Sequence, residues 1–303
     1  MPATLDIPLQ HHAPIKTWFE IGGTADRFAV ATSPDALRSL LAVDPSLRIL
    51  GDGANLLVDD DGVGEIVVSL ATPAFASISI NSASGLVTAG AGTHLFRLIN
   101  DTVAAGLGGL EVLAGVPATL GGALVMNAGG AYGEIASVVH RVFAISRDAQ
   151  EVVLERREID FSYRHSGLND LIITGAELQL TPGDPVRLAA RKKQINEAKA
   201  ASQPLAANSA GCCFKNPTLQ EALPGIGNAG QRVSAGLLID RAGLKGTRVG
   251  GALVSNRHGN FIVVDKKHAN ARDVIDLMEL VAAGVRREFG VTIDREVVVW
   301  TRR

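Results

Sequence analysis

Five stretches of this chain carry residues whose types and spacing can do chemistry. Two are glycine-rich loops: Gly51-Asp52-Gly53-Ala54-Asn55-Leu56-Leu57, and Gly115-Val116-Pro117-Ala118-Thr119-Leu120-Gly121-Gly122-Ala123. Closely spaced glycines let backbone N–H groups approach an anion with no side chain in the way. Pro117 suits the first turn of a helix, where free amides would face a phosphate. Taken singly, each loop reads as an ordinary tight turn. Taken together, over a tract of small residues, they point to a pyrophosphate cradle.

The third stretch is Phe161-Ser162-Tyr163-Arg164-His165-Ser166, at the edge of a strand pattern. A guanidinium there can hold a carboxylate or a developing oxyanion bidentately. It can equally make a structural ion pair, and Tyr163 and His165 by themselves read as packing. The fourth is Ser209-Ala210-Gly211-Cys212-Cys213-Phe214-Lys215-Asn216-Pro217. A thiol, with an ordinary pKa of ~8.5, can give or take a proton near neutrality. Its default is a small buried hydrophobe. The fifth is Glu296 in Asp294-Arg295-Glu296-Val297-Val298, a lone acid whose default is the surface.

The elements that must position these groups follow from local signals. Residues 1–16 read as an irregular lead, with His11-His12 in a solvated tail. Ser33-Pro34-Asp35 is a helix start: cap, proline in the first turn, acid at the positive end. Strands are expected at Arg48–Leu50, Leu56–Val58 and Glu65–Leu70, and a hairpin over Ile78–Thr88 turning at Asn81–Gly85. Leu95, Leu98, Ile99, Thr102 and Val103 have helical spacing and stop before Gly106. Further strands are expected at Val138–Ser146, Glu151–Leu154 and Leu171–Leu180. Pro182-Gly183-Asp184-Pro185 is the clearest break. Val186–Ala201 then reads as a charged amphipathic helix and Leu237–Arg241 as a short one. Ala252–Val254 and Phe261–Val264 read as strands. Asn270 caps a helix striped with Val274, Leu277, Met278, Val281, Val285 and Phe289 and ended by Gly290. Val291–Thr301 alternates as a last strand. Strands outnumber helices without regular alternation, which is an α+β pattern rather than a doubly wound parallel sheet.

Composition narrows the function. Of 303 residues, 29 are Lys or Arg and 31 Asp or Glu, so the net charge is −2 and no global field attracts nucleic acid. The 47% hydrophobic content supplies a core and excludes disorder as the main state. Cys212 and Cys213 are adjacent, which gives neither a disulfide framework nor metal-ligand spacing. No apolar run approaches the ~20 residues of a membrane span. Met1–Pro8 has no basic and apolar leader pattern. A cytoplasmic protein with no metal is expected. Gly225-Ile226-Gly227-Asn228-Ala229-Gly230 matches a dinucleotide pattern but follows no strand, so it reads as a surface loop.

The motifs fall in a familiar order. Phe19-Glu20-Ile21-Gly22-Gly23-Thr24-Ala25-Asp26, the Gly51–Leu57 loop, Gly109–Pro117 and Met126-Asn127-Ala128-Gly129 come first. Tyr163–Ser166, Ser209–Pro217, Ala242–Gly246, His258-Gly259-Asn260-Phe261 and Glu296-Val297 follow. Over roughly Thr17 to Val299 the chain resembles the UDP-N-acetylenolpyruvoylglucosamine reductase (MurB) family of bacterial cell-wall synthesis. The resemblance implies a two-lobed FAD-binding domain of the vanillyl-alcohol-oxidase/PCMH type and a C-terminal α+β substrate-binding domain. The implied boundaries are 17–183 (lobes near 17–72 and 73–183) and 184–303, the last strand returning to the first lobe. It implies non-covalent FAD, held by Gly51, Asp52, Gly53, Ala54, Asn55, Leu56, Gly115, Val116, Pro117, Thr119, Gly121, Gly122, Asn127 and Gly129. NADPH is the implied reductant and UDP-GlcNAc-enolpyruvate the substrate, in a monomer.

Arg164 and Glu296 are implied to stabilise charge developing on the substrate. Cys212 stands where the family usually has a serine proton donor. Tyr163, Lys199, Lys215, Asn216 and His258 are the implied substrate contacts. Ala118 stands where a glycine is common, and Gly130-Ala131-Tyr132-Gly133 is shuffled against the usual Gly-Ala-Tyr-Gly-Gly. Two other functions fit the same sequence: a different flavin oxidase of this fold, or a non-catalytic nucleotide-sugar-binding homologue.

Overall fold

A computed structural model describes residues 7–302. It divides into two compact units, each drawing on separated parts of the chain. Unit 1 takes the described residues up to Ala13, then Ala25–Asp52 and Gly64–Lys199. Unit 2 takes Pro14–Thr24, Gly53–Val63 and the described residues from Ala200 onward.

Unit 1 is built on two sheets. One has four strands in the order Gln10–Pro14, Thr24–Val30, Val63–Ser69 and Arg48–Leu50, the last two parallel. The other is antiparallel, in the order Glu151–Glu155, Val139–Ile145, Ile172–Gln179, Leu86–Gly90 and Ile78–Asn81. Helix α1 (Pro34–Val43) begins as its sequence dictates: Ser33 Oγ accepts from Ala36 N at 3.1 Å. It buries Leu37, Leu40 and Leu41, and α2 (Leu95–Ala104) buries Leu95, Leu98, Ile99 and Val103. Each such side chain contributes roughly 1.5–3 kcal/mol on leaving water. The short α3 (Leu120–Val125) starts at Thr119, whose Oγ1 accepts from Gly122 N. The long α4 (Pro185–Ser202) buries only Ile195.

Unit 2 packs two helices on a small antiparallel sheet of Arg248–Val249, Ala252–Val254 and Ile262–Val264. The helices are α5 (Ala235–Arg241) and α6 (Ala271–Phe289). Asn270 and Asp273 form a capping box on α6, and Gly290 ends it in the left-handed conformation. Val274, Leu277, Met278, Val281 and Val285 are its buried stripe. Asp60, from the segment 53–63, accepts from Ala271 N and Arg272 N at 2.9 and 3.1 Å. A parallel pair of Val298–Trp300 with Leu56–Val58 completes the unit.

Four expectations need correction. The N-terminal lead is not irregular throughout, because Gln10–Pro14 is an edge strand of the four-stranded sheet; residues 1–6 lie outside the described residues. The expected amphipathic helix is not amphipathic: α4 is held to unit 1 chiefly by polar anchors. Lys192 Nζ reaches Asn100 Oδ1 at 2.7 Å and Lys199 Nζ reaches Ala114 O at 2.6 Å. Those anchors also keep α4 with unit 1 to Lys199, past the break at 182–185 where the boundary was expected. The last strand is shorter than 291–301. Residues 293–297 bond irregularly to the segment around Cys213, and a regular ladder begins only at Val298.

Asp44 ties α1 to both neighbouring strands of unit 1. Its carboxylate accepts from Ser46 N and Oγ, from Ile66 N at 2.8 Å and from Arg27 Nη2 at 3.0 Å. Burial opposes its charge, but these donors outweigh burial and hold its pKa below the usual range. Its contribution is therefore present above the ordinary carboxylate pKa of ~3.9 and is lost as pH falls through the folded value. Asp44→Ala is expected to cost about 2–4 kcal/mol of unfolding free energy at pH 7, measured by urea denaturation, with the deficit shrinking towards pH 3.

Candidate active site

In unit 1, Gly51, Asp52, His94 and Thr119 come together. Asp52 Oδ1 lies 2.8 Å from His94 Nδ1, and a Cβ on Gly51 would stand 2.8 Å from Thr119 Oγ1. The second glycine loop differs from expectation. Helix α3 begins at Leu120, so Pro117 is not in its first turn. Its leading amides are already used: Leu120 N donates to Thr93 O, Gly121 N to Ala91 O and Ala123 N to Thr119 O. Val116 N donates to Leu113 O, and Ala114 O, beside Gly115, accepts from Lys199. The 120–123 amides therefore offer no free anion cradle.

The first loop leaves its amides unused. Among the described residues, the N–H groups of Gly51, Asp52, Gly53, Ala54 and Asn55 make no hydrogen bond within the chain. Gly53 has φ +64°, and a Cβ there would stand 2.2 Å from Lys16 O, so only glycine fits. In unit 2, Asn55 Nδ2 donates to Glu296 O at 3.0 Å and Val298 N to Asn55 O at 3.1 Å. These bonds fix the far end of the loop.

Arg164 occupies not a strand edge but a two-residue hairpin. Ser162 and His165 exchange backbone hydrogen bonds at 3.0 and 3.1 Å, with Tyr163 and Arg164 between them. Arg164 takes a left-handed φ of +55°, unusual for a non-glycine residue. Three contacts hold the hairpin to the segment 125–129: Arg164 Nη1 donates to Gly129 O at 2.9 Å, Asn127 Nδ2 to Ser162 O at 2.9 Å, and Ser166 Oγ to Val125 O at 2.7 Å. Asn127 is itself buried, with Oδ1 accepting from Ala136 N. The guanidinium carbon stands 5.5 Å from the Tyr163 ring centroid.

Unit 2 brings Cys212, Lys215, Asn216, His258 and Glu296 onto neighbouring segments. Cys212 bridges to Phe261 and Phe214 to Arg295. Glu296 N donates to Cys213 O at 2.8 Å and Lys215 N to Asp294 O at 2.8 Å. Successive residues of an extended segment face opposite ways. Cys213 points into the core, fully buried, while Cys212 is half-buried. Burial first, then the neighbouring Cys212 and Glu296, pushes the Cys213 thiol up to about 12. Asn216 Oδ1 accepts from Ala235 N at 2.9 Å, at the start of α5. His258 Nδ1 accepts from Asn260 N at 3.2 Å, which assigns the ring proton to Nε2. Burial, then the charge of Lys245, holds His258 below the ordinary imidazole range. It is a neutral donor near pH 7.

Motif order had given Ser166 and Asn260 no role. Their signal was a polar residue beside apolar ones, which names neither a partner nor a direction.

Two family models match. The FAD binding domain covers residues 25–155, and the C-terminal domain of UDP-N-acetylenolpyruvoylglucosamine reductase covers residues 203–300. The UDP-N-acetylenolpyruvoylglucosamine reductase of Levilactobacillus brevis is 36% identical, over 96% of this chain and 91% of that protein. The protein of that name from Moorella thermoacetica is 38% identical, over 97% and 91%. The chain belongs to this family. The crystal structure of the reductase (MurB) from Thermus caldophilus superposes with a TM-score of 0.80 at 34% identity, over 97% of this chain and 99% of that one.

As a member of the UDP-N-acetylenolpyruvoylglucosamine reductases, the chain is an FAD-dependent oxidoreductase with the α+β fold of FAD-binding domains. The run of unpartnered amides from Gly51 to Asn55 fits the pyrophosphate of such a cofactor. Among the described residues, no helix is long and apolar enough to cross a membrane.

The two thiols of this reductase differ in reach and in pKa. Iodoacetamide at pH 8 is expected to alkylate the native protein once, at Cys212. Cys213 is expected to react only after denaturation, as read by peptide mass spectrometry. Modification of native Cys213 at a comparable rate would contradict its burial.

Proposed function

We propose that the protein reduces UDP-N-acetylglucosamine enolpyruvate to UDP-N-acetylmuramate for peptidoglycan precursor synthesis, with NADPH as electron source and Cys212 as proton donor. The observation that carries this reading is the hydrogen bond from Glu296 N to Cys213 O at 2.8 Å. It puts a carboxylate and the Cys212 thiol on adjacent segments, in a family whose usual donor there is a serine.

Bound FAD supplies the hydride, which it takes up from NADPH; the Gly51–Asn55 amides would hold its pyrophosphate, and the hard redox chemistry is the cofactor's own. The chain's residues manage the proton and the charge. Hydride addition to one carbon of the enolpyruvyl double bond leaves carbanion character on its neighbour, delocalised into the carboxylate. Arg164 is suited to that carboxylate, as its hairpin fixes the guanidinium before substrate arrives. Glu296 acts with Arg164 in polarising the substrate carboxylate as that charge develops. The Cys212 S–H gives its proton to the carbanionic carbon, so one hydride and one proton add across the double bond, and the thiolate is reprotonated from solvent. A thiol is more acidic than a serine hydroxyl, so this transfer is no harder at Cys212. His258 as a neutral donor, together with Lys215, Asn216, Lys199 and Tyr163, is suited to the nucleotide and its phosphates.

Anaerobic stopped-flow absorbance at the flavin band separates the two half-reactions. Cys212→Ala is expected to leave flavin reduction by NADPH intact and to slow reoxidation by UDP-GlcNAc-enolpyruvate about 10²-fold or more. Glu296→Ala is expected to act on the same half-reaction. Reoxidation at the wild-type rate in Cys212→Ala would remove the thiol from the mechanism. A purified protein without flavin would favour a nucleotide-sugar-binding homologue instead.

A further inference from the structure

Asn260 carries no acid, base or nucleophile, yet it is 3% exposed and lies just before the strand Ile262–Val264. Its side chain clamps one residue with two bonds. Oδ1 accepts from Phe214 N at 2.9 Å, and Nδ2 donates to Phe214 O at 2.8 Å. Its own carbonyl accepts from Cys213 N at 2.8 Å. These bonds engage the three successive peptide groups that follow Cys212. From the other side, Glu296 N and Asp294 O bond to Cys213 O and Lys215 N. Gly211, with φ +76°, sets the chain direction just before the thiol. A fourth bond, from Asn260 N to His258 Nδ1, fixes the imidazole tautomer.

We infer that Asn260 is a positioning residue for the reductase reaction: it locks the peptides after Cys212 so that the thiol is presented in one orientation. This rests on the reading of Cys212 as proton donor. The physical reason is directional. A proton donor acts only when its hydrogen points at the accepting carbon, and small displacements of a catalytic group cost rate steeply. The clamp removes backbone freedom on one side without touching the sulfur. Hydrophobic packing of Phe214 alone would bury the segment but leave its rotation and register less defined.

The test uses the flavin-loaded enzyme, the Asn260→Ala and Asn260→Ser variants, and each combined with Cys212→Ala. In both single variants, flavin reduction by NADPH is expected to stay within about twofold of wild type, and reoxidation by UDP-GlcNAc-enolpyruvate to slow about tenfold or more. Serine keeps one hydrogen-bonding group and is expected to fall between alanine and wild type. Combined with Cys212→Ala, either change is expected to cost less than about twofold further, because the group it positions is gone. Native protection of Cys213 from iodoacetamide is expected to persist, which certifies the fold. Reoxidation within twofold of wild type in both variants would overturn the inference. So would a parallel fall in both half-reactions, exposure of Cys213, or an undiminished effect in the Cys212→Ala background. Wild-type reoxidation in Cys212→Ala alone would overturn the donor reading, and it is read separately from the Asn260 effect.

Discussion

The parallel pairing of Val298–Trp300 with Leu56–Val58 is the constraint on which unit 2 depends. It joins residues 242 positions apart in sequence. Once it forms, Asn55 reaches the carbonyl of Glu296, and the segment before Val298 lies beside Cys213. One short ladder thus sets the end of the Gly51–Asn55 loop and the backbone of Glu296 together. Neither needs a dedicated element. The buried stripe of α6 and the Asp60 cap on its first turn hold the same early segment in place from another direction.

How far the sequence carried this picture depends on the range of the forces involved. Local signals were legible: Ser33 at the start of α1, the Asn270 cap and Gly290 stop of α6, and the hairpin turning over Asn81–Gly85 were all read from neighbouring residues. Interactions between distant residues were not. The alternation of 291–301 looked like a full strand, but Asp294, Glu296 and Val297 meet an irregular partner rather than a ladder. Pro117 looked like a helix start, yet the cap is Thr119 and the amides behind it are spoken for by Ala91 and Thr93. Lys192, unremarkable in a charged helix, and Lys199, implied as a substrate contact, turn out to anchor it. Motif order brought Arg164, Cys212 and Glu296 forward as site candidates, but the hairpin that holds Arg164 and the contacts of Asn260 are products of folding.

The paired cysteines show how one dipeptide can hold two chemistries. Alternation turns Cys213 into the core, where desolvation keeps it protonated and inert. Cys212 takes the other face, at a position bounded by Gly211 and Phe261. Reactivity is decided by which way the chain faces, not by residue type.

The discontinuity of unit 2 bears on how the chain acquires its structure. Its parts are residues 14–24, 53–63 and everything from 200 onward. The contact between Asn55 and Glu296 spans 241 residues. Closing so long a loop carries a large entropic cost that only late contacts repay, and topologies of this kind fold slowly. During synthesis, segments 14–24 and 53–63 emerge long before the residues from 200 onward that complete their unit. Unit 1 has nearly all of its core by residue 180 and can consolidate first. The far end of the Gly51–Asn55 loop is therefore tied down only once the final strand pairs.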